Sequence, residues 1–171
     1  MIHSAIHAAV PDALCIIHTH TTAGLAVASS KRGLVPTNFY SAAIVDNVAY
    51  HDFEGPSVHD DEKPRLVASL GNKRALILRN HGLLVHGPSI PEAFRYHYQL
   101  QRACEVQVAT SAIDEGLEIP REVIDRFRGS RDDEKKDLSM KSDLVPAAKR
   151  VRMLFDAMVR LVDKKDTSYK N

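Results

Sequence analysis

Tryptophan is absent from this 171-residue sequence, and five tyrosines and five phenylalanines are its only other large rings. A chain so poor in aromatics offers little platform for stacking nucleic-acid bases. Excess charge is missing too. Lysine and arginine total 23 against 22 aspartates and glutamates, a net charge of +1, so no overall field favours nucleic acid or an anionic membrane. No apolar run reaches the length of a membrane span, and none has the form of a secretory signal. Cysteine occurs only at Cys15 and Cys104, in a strand pattern and a helix pattern. They read as two reduced core thiols rather than a disulfide framework. These absences make a cytoplasmic protein the expectation. Gly82 and Gly87 fit neither dinucleotide nor P-loop spacing, and no serine sits in a nucleophile elbow.

What is present suffices for one domain with a real core, since 44% of residues are hydrophobic. Ile2, Ala5, Ile6 and Ala9 recur at helical spacing until Pro11-Asp12. That pattern is already running at Met1, so the sequence is expected to lack an N-terminal portion. A strand over 13–20, a helix over 22–31 closed by Gly33, a strand over 42–50 and a helix over 60–70 follow. A strand over 75–79 and a short one over 83–85 come next. Ser89 and Glu92 have the spacing of a capping box and open the longest helix, 91–113. Pro120 starts a short helix to 128. The charged stretch 129–143 reads as a structureless linker or loop. An amphipathic helix fills 145–163 within the last segment, 144–171. Strands alternate with helices, so the class is α/β.

The chemistry concentrates at His18-Thr19-His20, which ends the apolar run Ala13-Leu14-Cys15-Ile16-Ile17. In a strand, residues i and i+2 share a face, with Cα atoms roughly 6.5 Å apart, so two imidazoles there can grip one metal ion. His81 follows a second apolar run, Ala75-Leu76-Ile77-Leu78, in a turn that Asn80 and Gly82 make easy. Three histidines with an open position are the ligand set of a catalytic zinc. The other reading is a set of part-buried histidines satisfied by backbone, in a chain holding nine histidines. His3 and His7 share a helix face at i, i+4, a second metal-capable spacing without an evident third ligand. His97 reads as structural, and His51, His59 and His86 have no partner pattern. Asp60-Asp61-Glu62 suits a helix start better than a metal. A metallohydrolase of the His-x-His-x-Asp-His type is excluded, because Thr22 and Ala23 stand where it needs Asp and His. An all-β cupin is excluded by the helices.

Several segments, in order and at matching intervals, resemble the class II aldolase/adducin domain. They are His3-Ser4-Ala5-Ile6-His7-Ala8-Ala9-Val10-Pro11-Asp12, Ile17-His18-Thr19-His20-Thr21, Ala49-Tyr50-His51-Asp52-Phe53-Glu54-Gly55 and Leu78-Arg79-Asn80-His81-Gly82-Leu83-Leu84. Glu92-Ala93-Phe94 and Arg102-Ala103-Cys104-Glu105-Val106-Gln107 carry the likeness into the long helix, so it covers residues 1–113. The resemblance implies a three-layer α/β/α sandwich, here N-terminally truncated, with a partial domain over 1–128, and assembly as a homo-oligomer, a tetramer in the family. It implies Zn2+, or another divalent transition metal, on His18, His20 and His81. The metal would stabilise an enediolate as a carbon–carbon bond of a small hydroxy-carbonyl substrate breaks. It also suggests Tyr40 as the tyrosine that protonates the leaving group. The family's acid/base glutamate and phosphate loops fall upstream of Met1 in the match. The alternative is a non-catalytic module like the adducin head, which serves the actin–spectrin skeleton. Only Lys164, Lys165 and Lys170 stand near the end, without the lysine-rich cluster of adducin tails.

Overall fold

A four-stranded mixed sheet organises the chain. In the computed structural model, residues 2–55, 60–140 and 146–170 are described, with residue 60 and residues 131–140 as backbone only. The strands are β1 (Cys15–Thr19), β2 (Val48–His51), β3 (Ala75–Leu78) and β4 (Gly82–Gly87), in the order β1-β4-β3-β2. β4 runs antiparallel to both β1 and β3, whereas β2 and β3 are parallel. The parallel pair is joined through helix α4 (Lys63–Leu70), as parallel strands require a crossover. β3 and β4 are buried at every residue, and β1 is only half-buried throughout. Central strands covered on both faces read as continuous apolar runs, which is why Ala75-Leu76-Ile77-Leu78 shows no alternation.

The pleat sends alternate residues of each strand into two separate cores. Ala75, Ile77, Leu83 and Val85 face one layer, built from α2 (Thr22–Ala28), α3 (Phe39–Ile44) and α5 (Ile90–Ser111), where they meet Val27, Ile44, Leu100 and Cys104. Leu76, Leu78 and Leu84 face the other, built from α1 (Ile2–Ala9) and α4, where they meet Ile6, Leu66 and Leu70. The result is the expected three-layer α/β/α arrangement. Helices α6 (Arg121–Met140) and α7 (Ala147–Asp163) lie outside it, with Phe155 of α7 packed edge-on to Phe94 of α5 at 5.5 Å.

Two stretches differ from the sequence reading. Of the strand expected over 42–50, only Val48 onward is extended. Before it, α3 starts at a capping box. Asn38 Oδ1 accepts from the Tyr40 and Ser41 amides, both at 3.0 Å, and Ser41 Oγ accepts from the Asn38 amide at 3.1 Å. Those bonds, with Ala42 and Ile44 buried on the helix face, outweigh the strand preference of the β-branched residues that follow. The stretch 129–140, expected to be structureless, continues α6. No proline interrupts it between Pro120 and Pro146, so nothing obliges the helix to stop at 128. Residues 141–143 of that expected linker, and 144–145 of the following segment, lie outside the described residues.

Candidate metal centre

The end of β1 and the turn between β3 and β4 meet at one point. Ile16 packs toward the α1/α4 core and Ile17 toward the α2/α3/α5 core, so the pleat directs His18 and His20 to the α1/α4 side. His81 arrives from the turn after β3. Asn80 holds φ 54° there, a left-handed conformation that asparagine tolerates, and the His81 amide closes the turn on Leu78 O at 3.0 Å. Gly82 is needed for another reason. A Cβ at this position would lie 2.4 Å from Thr19 O and 3.0 Å from His20 Cδ2, so only glycine lets β4 start directly against the histidine-bearing strand.

Three rings converge at this point. Their centroids are 4.7 Å apart for His18 and His20, 4.9 Å for His18 and His81, and 4.9 Å for His20 and His81. Each offers a ring nitrogen within 4.8 Å of the other two, and among the described residues this is the one cluster of three or more histidines, cysteines or carboxylates so arranged. His18 Nδ1 donates to the Leu83 carbonyl at 2.9 Å. That bond puts the proton on Nδ1 and leaves the Nε2 lone pair facing inward. His18 Nε2 is 2.9 Å from His20 Nε2, a separation at which one ring must donate to the other or both must turn to a shared cation. Tetrahedral zinc with bonds of about 2.0–2.1 Å spaces its nitrogens by about 3.3 Å. The donor set therefore fits such an ion after small ring movements, and His20, the exposed member, has room for them.

The electrostatics favour neutral rings at His18 and His81, the form that binds metal. Burial holds the His18 imidazole below its ordinary pKa; the Leu83 bond opposes this, while His81, His20 and His3 add to it. His81 is lowered by burial and then by His20, with Glu62 pulling the other way. Beside the triad, Phe53 lies 6.3 Å from the His81 ring. His51 is buried, with Nδ1 3.0 Å from Ser69 Oγ and Nε2 3.4 Å from Glu62 and 3.8 Å from Glu54.

The remaining candidates lie elsewhere. Tyr40 packs on the α2/α3/α5 core, with the Arg102 guanidinium 5.7 Å from its ring centre. His18 and His20 point to the other side of the sheet. His3 and His7 rings are 6.4 Å apart, and His7 Nδ1 donates to Ala13 O at 2.6 Å. His97 Nε2 is 3.4 Å from Thr19 Oγ1, and His59 lies outside the described residues. Sequence reading passed over Leu83, because a backbone carbonyl that fixes a tautomer leaves no side-chain signature.

The profile of the family described as Class II Aldolase and Adducin N-terminal domain matches residues 1–108. A Pseudomonas aeruginosa protein assigned provisionally to aldolase class 2 is 46% identical over 132 residues, 77% of this chain and 50% of that protein. Mouse alpha-adducin is 50% identical over 112 residues, 65% of this chain and 15% of that one. Among solved structures, an aldolase II superfamily protein from Pseudomonas syringae superposes with a TM-score of 0.84 at 37% identity, covering 99% of this chain and 64% of that one. An L-fuculose 1-phosphate aldolase from Glaciozyma antarctica gives a TM-score of 0.62 at 35% identity, covering 72% of this chain and 47% of that one. The chain thus spans about half the length of the bacterial relative and a smaller part of the adducin.

Proposed function

Since the chain belongs to the class II aldolase and adducin N-terminal domain family, we propose that His18, His20 and His81 hold one divalent transition metal, zinc by preference. In this reading the chain is the metal-bearing part of a lyase-type protein that acts on a small hydroxy-carbonyl compound. The observation that carries it is the convergence of three imidazole nitrogens within 4.8 Å of one another. When bound, such a metal supplies Lewis-acid stabilisation of the negative charge that develops on substrate oxygens.

The chain's own residues supply the rest. Leu83 O fixes the His18 tautomer, so that ligand need not lose a proton or choose an orientation at the moment of binding. The pairing of β1 with β4 holds His18 on a stiff backbone, and His20 follows one residue past the last pair. Phe53 gives one side of the site an apolar wall. Tyr40, beside Arg102 on the opposite face of the sheet, is not placed to protonate a leaving group at this centre within one chain. A small-molecule substrate, a homo-oligomer and a cytoplasmic location complete the proposal. Among the described residues, no helix is long and apolar enough to cross a membrane.

A second reading has its own support. Identity to mouse alpha-adducin, 50%, is as high as to the bacterial protein, which favours a non-catalytic module that binds the actin–spectrin skeleton. Metal content separates the two. The lyase reading expects about one zinc per purified chain by mass spectrometry, lost in a His18→Ala, His81→Ala double variant. A folded wild-type chain without stoichiometric metal, even after incubation with zinc, would remove the lyase reading and leave the adducin-like one.

A further inference from the structure

The loop that carries His20 is tied to the long helix by a chain of side-chain hydrogen bonds. Thr21, next to His20, donates its hydroxyl to Gln101 Oε1 at 2.6 Å. Gln101 Nε2 donates to Glu105 Oε1 at 2.8 Å. Arg102 Nη1 donates to the other carboxylate oxygen, Glu105 Oε2, at 2.6 Å. Thr21 Oγ1 also accepts the Gly24 amide at 3.2 Å, capping α2.

The order of these bonds leaves little freedom. A carboxylate only accepts, so Glu105 compels Gln101 to turn its NH2 toward it. The amide oxygen then faces Thr21, and the hydroxyl must donate to it. Its lone pairs are left for the Gly24 amide. One acidic group on α5, gripped by Arg102, thereby fixes the rotamer of a threonine 80 positions away from Gln101. His20 profits from this because little else holds it. It is the exposed member of the triad, it lies beyond the last paired residue of β1, Thr19, and its ring bond is to His18. His18, by contrast, is anchored on Leu83.

We propose that Gln101 is a positioning residue for the metal centre, acting through Thr21 to hold His20 in place, with Glu105 setting the orientation of the Gln101 amide. This deepens the metal reading and rests on it. Outer hydrogen bonds that orient ligands change metal affinity by about 10–100-fold when removed. Gln101 touches Thr21 rather than a ligand, so the lower end of that range is expected.

The test titrates Co2+ into the wild-type chain and into Gln101→Met, Thr21→Ser and Glu105→Gln variants, following the visible d–d absorption. Gln101→Met should bind Co2+ about tenfold more weakly, with an altered band, and its melting temperature should stay within a few degrees of wild type. Thr21→Ser keeps the hydroxyl and should bind as wild type. Glu105→Gln, which allows the Gln101 amide to reverse, should weaken binding in the same direction. It serves as the second probe if Gln101→Met does not fold. Unchanged affinity and spectrum in Gln101→Met, or in Glu105→Gln where that is the folded variant, overturns the proposal. If the wild-type chain takes no Co2+, the metal reading fails, and the positioning claim is read in the metal-free protein. There the ring N–H shared by His18 and His20 should exchange with solvent faster in the variant, by NMR, and equal exchange overturns it.

Discussion

Two histidines sit at diagonal positions in the pairing of β1 with β4, and they have different fates. His18 stands opposite Leu84, and His86 stands opposite Ile16. Leu84 and Ile16 both pack into the α1/α4 core, so the two imidazoles share a face. Each donates one ring N–H to a backbone carbonyl, His18 to Leu83 and His86 Nε2 to Lys73 at 3.0 Å. Each is lowered in pKa first by burial. The difference lies at the second nitrogen. That of His18 meets His20, with His81 close by. His86 Nδ1 is buried without a hydrogen-bond partner among the described residues, and its charged neighbours are Arg74 and Asp12, themselves paired at 2.6 Å. A nearby guanidinium repels a metal ion. Burial and a ring N–H bonded to a backbone carbonyl are therefore shared by both histidines, though through opposite ring nitrogens, and convergence with two further imidazoles sets His18 apart.

The sharpest way to break this comparison is to remove one imidazole from each place. His81→Ala should abolish stoichiometric zinc, weakening affinity by more than about a hundredfold, beyond the effect of outer-shell changes. His86→Ala should leave zinc content at the wild-type level. Equal metal loss in both would show that the two positions are not distinct. Gly82→Ala comes next. The clash with Thr19 O is expected to cost about 1–3 kcal/mol, read from the urea midpoint, and to lower zinc affinity as well, because the strained segment lies between His81 and β1. His86→Ala should itself cost about 1–3 kcal/mol by stranding the Lys73 carbonyl, with no loss of metal.

The smallest effect is in pH and concerns both places together. Burial holds His18, His81, His86 and His97 below the ordinary imidazole value. In the unfolded chain these groups take up protons near pH 6.5. Below that pH the unfolded state binds protons that the native state does not, so stability falls as pH drops from 6.5 through the lowered native values. Above 6.5 these groups contribute no slope. Urea midpoints at pH 7.5 and 5.5, with chelator present, should show the decline, and His86→Ala should make it shallower. A midpoint that rises on acidification would contradict the assignment.

Much of this was legible in the sequence because it rests on local rules. Two buried apolar runs followed by histidine, with Asn80 and Gly82 around the third, give strand ends and a tight turn, and their meeting follows once β1 and β3 flank β4. The α/β class followed from the alternation of strands with helices, and the three layers from the resemblance to the class II aldolase/adducin domain. Helix α3 was not legible, because its capping box uses Ser41 in the place where glutamate or glutamine is the usual sign, and because the burial of Ala42 and Ile44 is decided by distant elements. The continuation of α6 past 128 was hidden by charge, which resembles a linker when read by composition. Thr21 and Gln101 were silent for a simpler cause. A threonine and a glutamine 80 positions apart have no spacing to detect.

The junction of β1 with β4 has a consequence for assembly. His18 and the carbonyl that orients it are 65 positions apart in sequence, so the histidine cluster does not exist until a long loop has closed. Closure is an entropic cost of the folding step, and an ion that requires the closed form acts on that step from the native side only. In a chain that holds metal here, the free metal concentration becomes a variable of folding. At a hundred times the dissociation constant it adds about 2.7 kcal/mol to stability, and a chelator withdraws the same amount without touching a single residue.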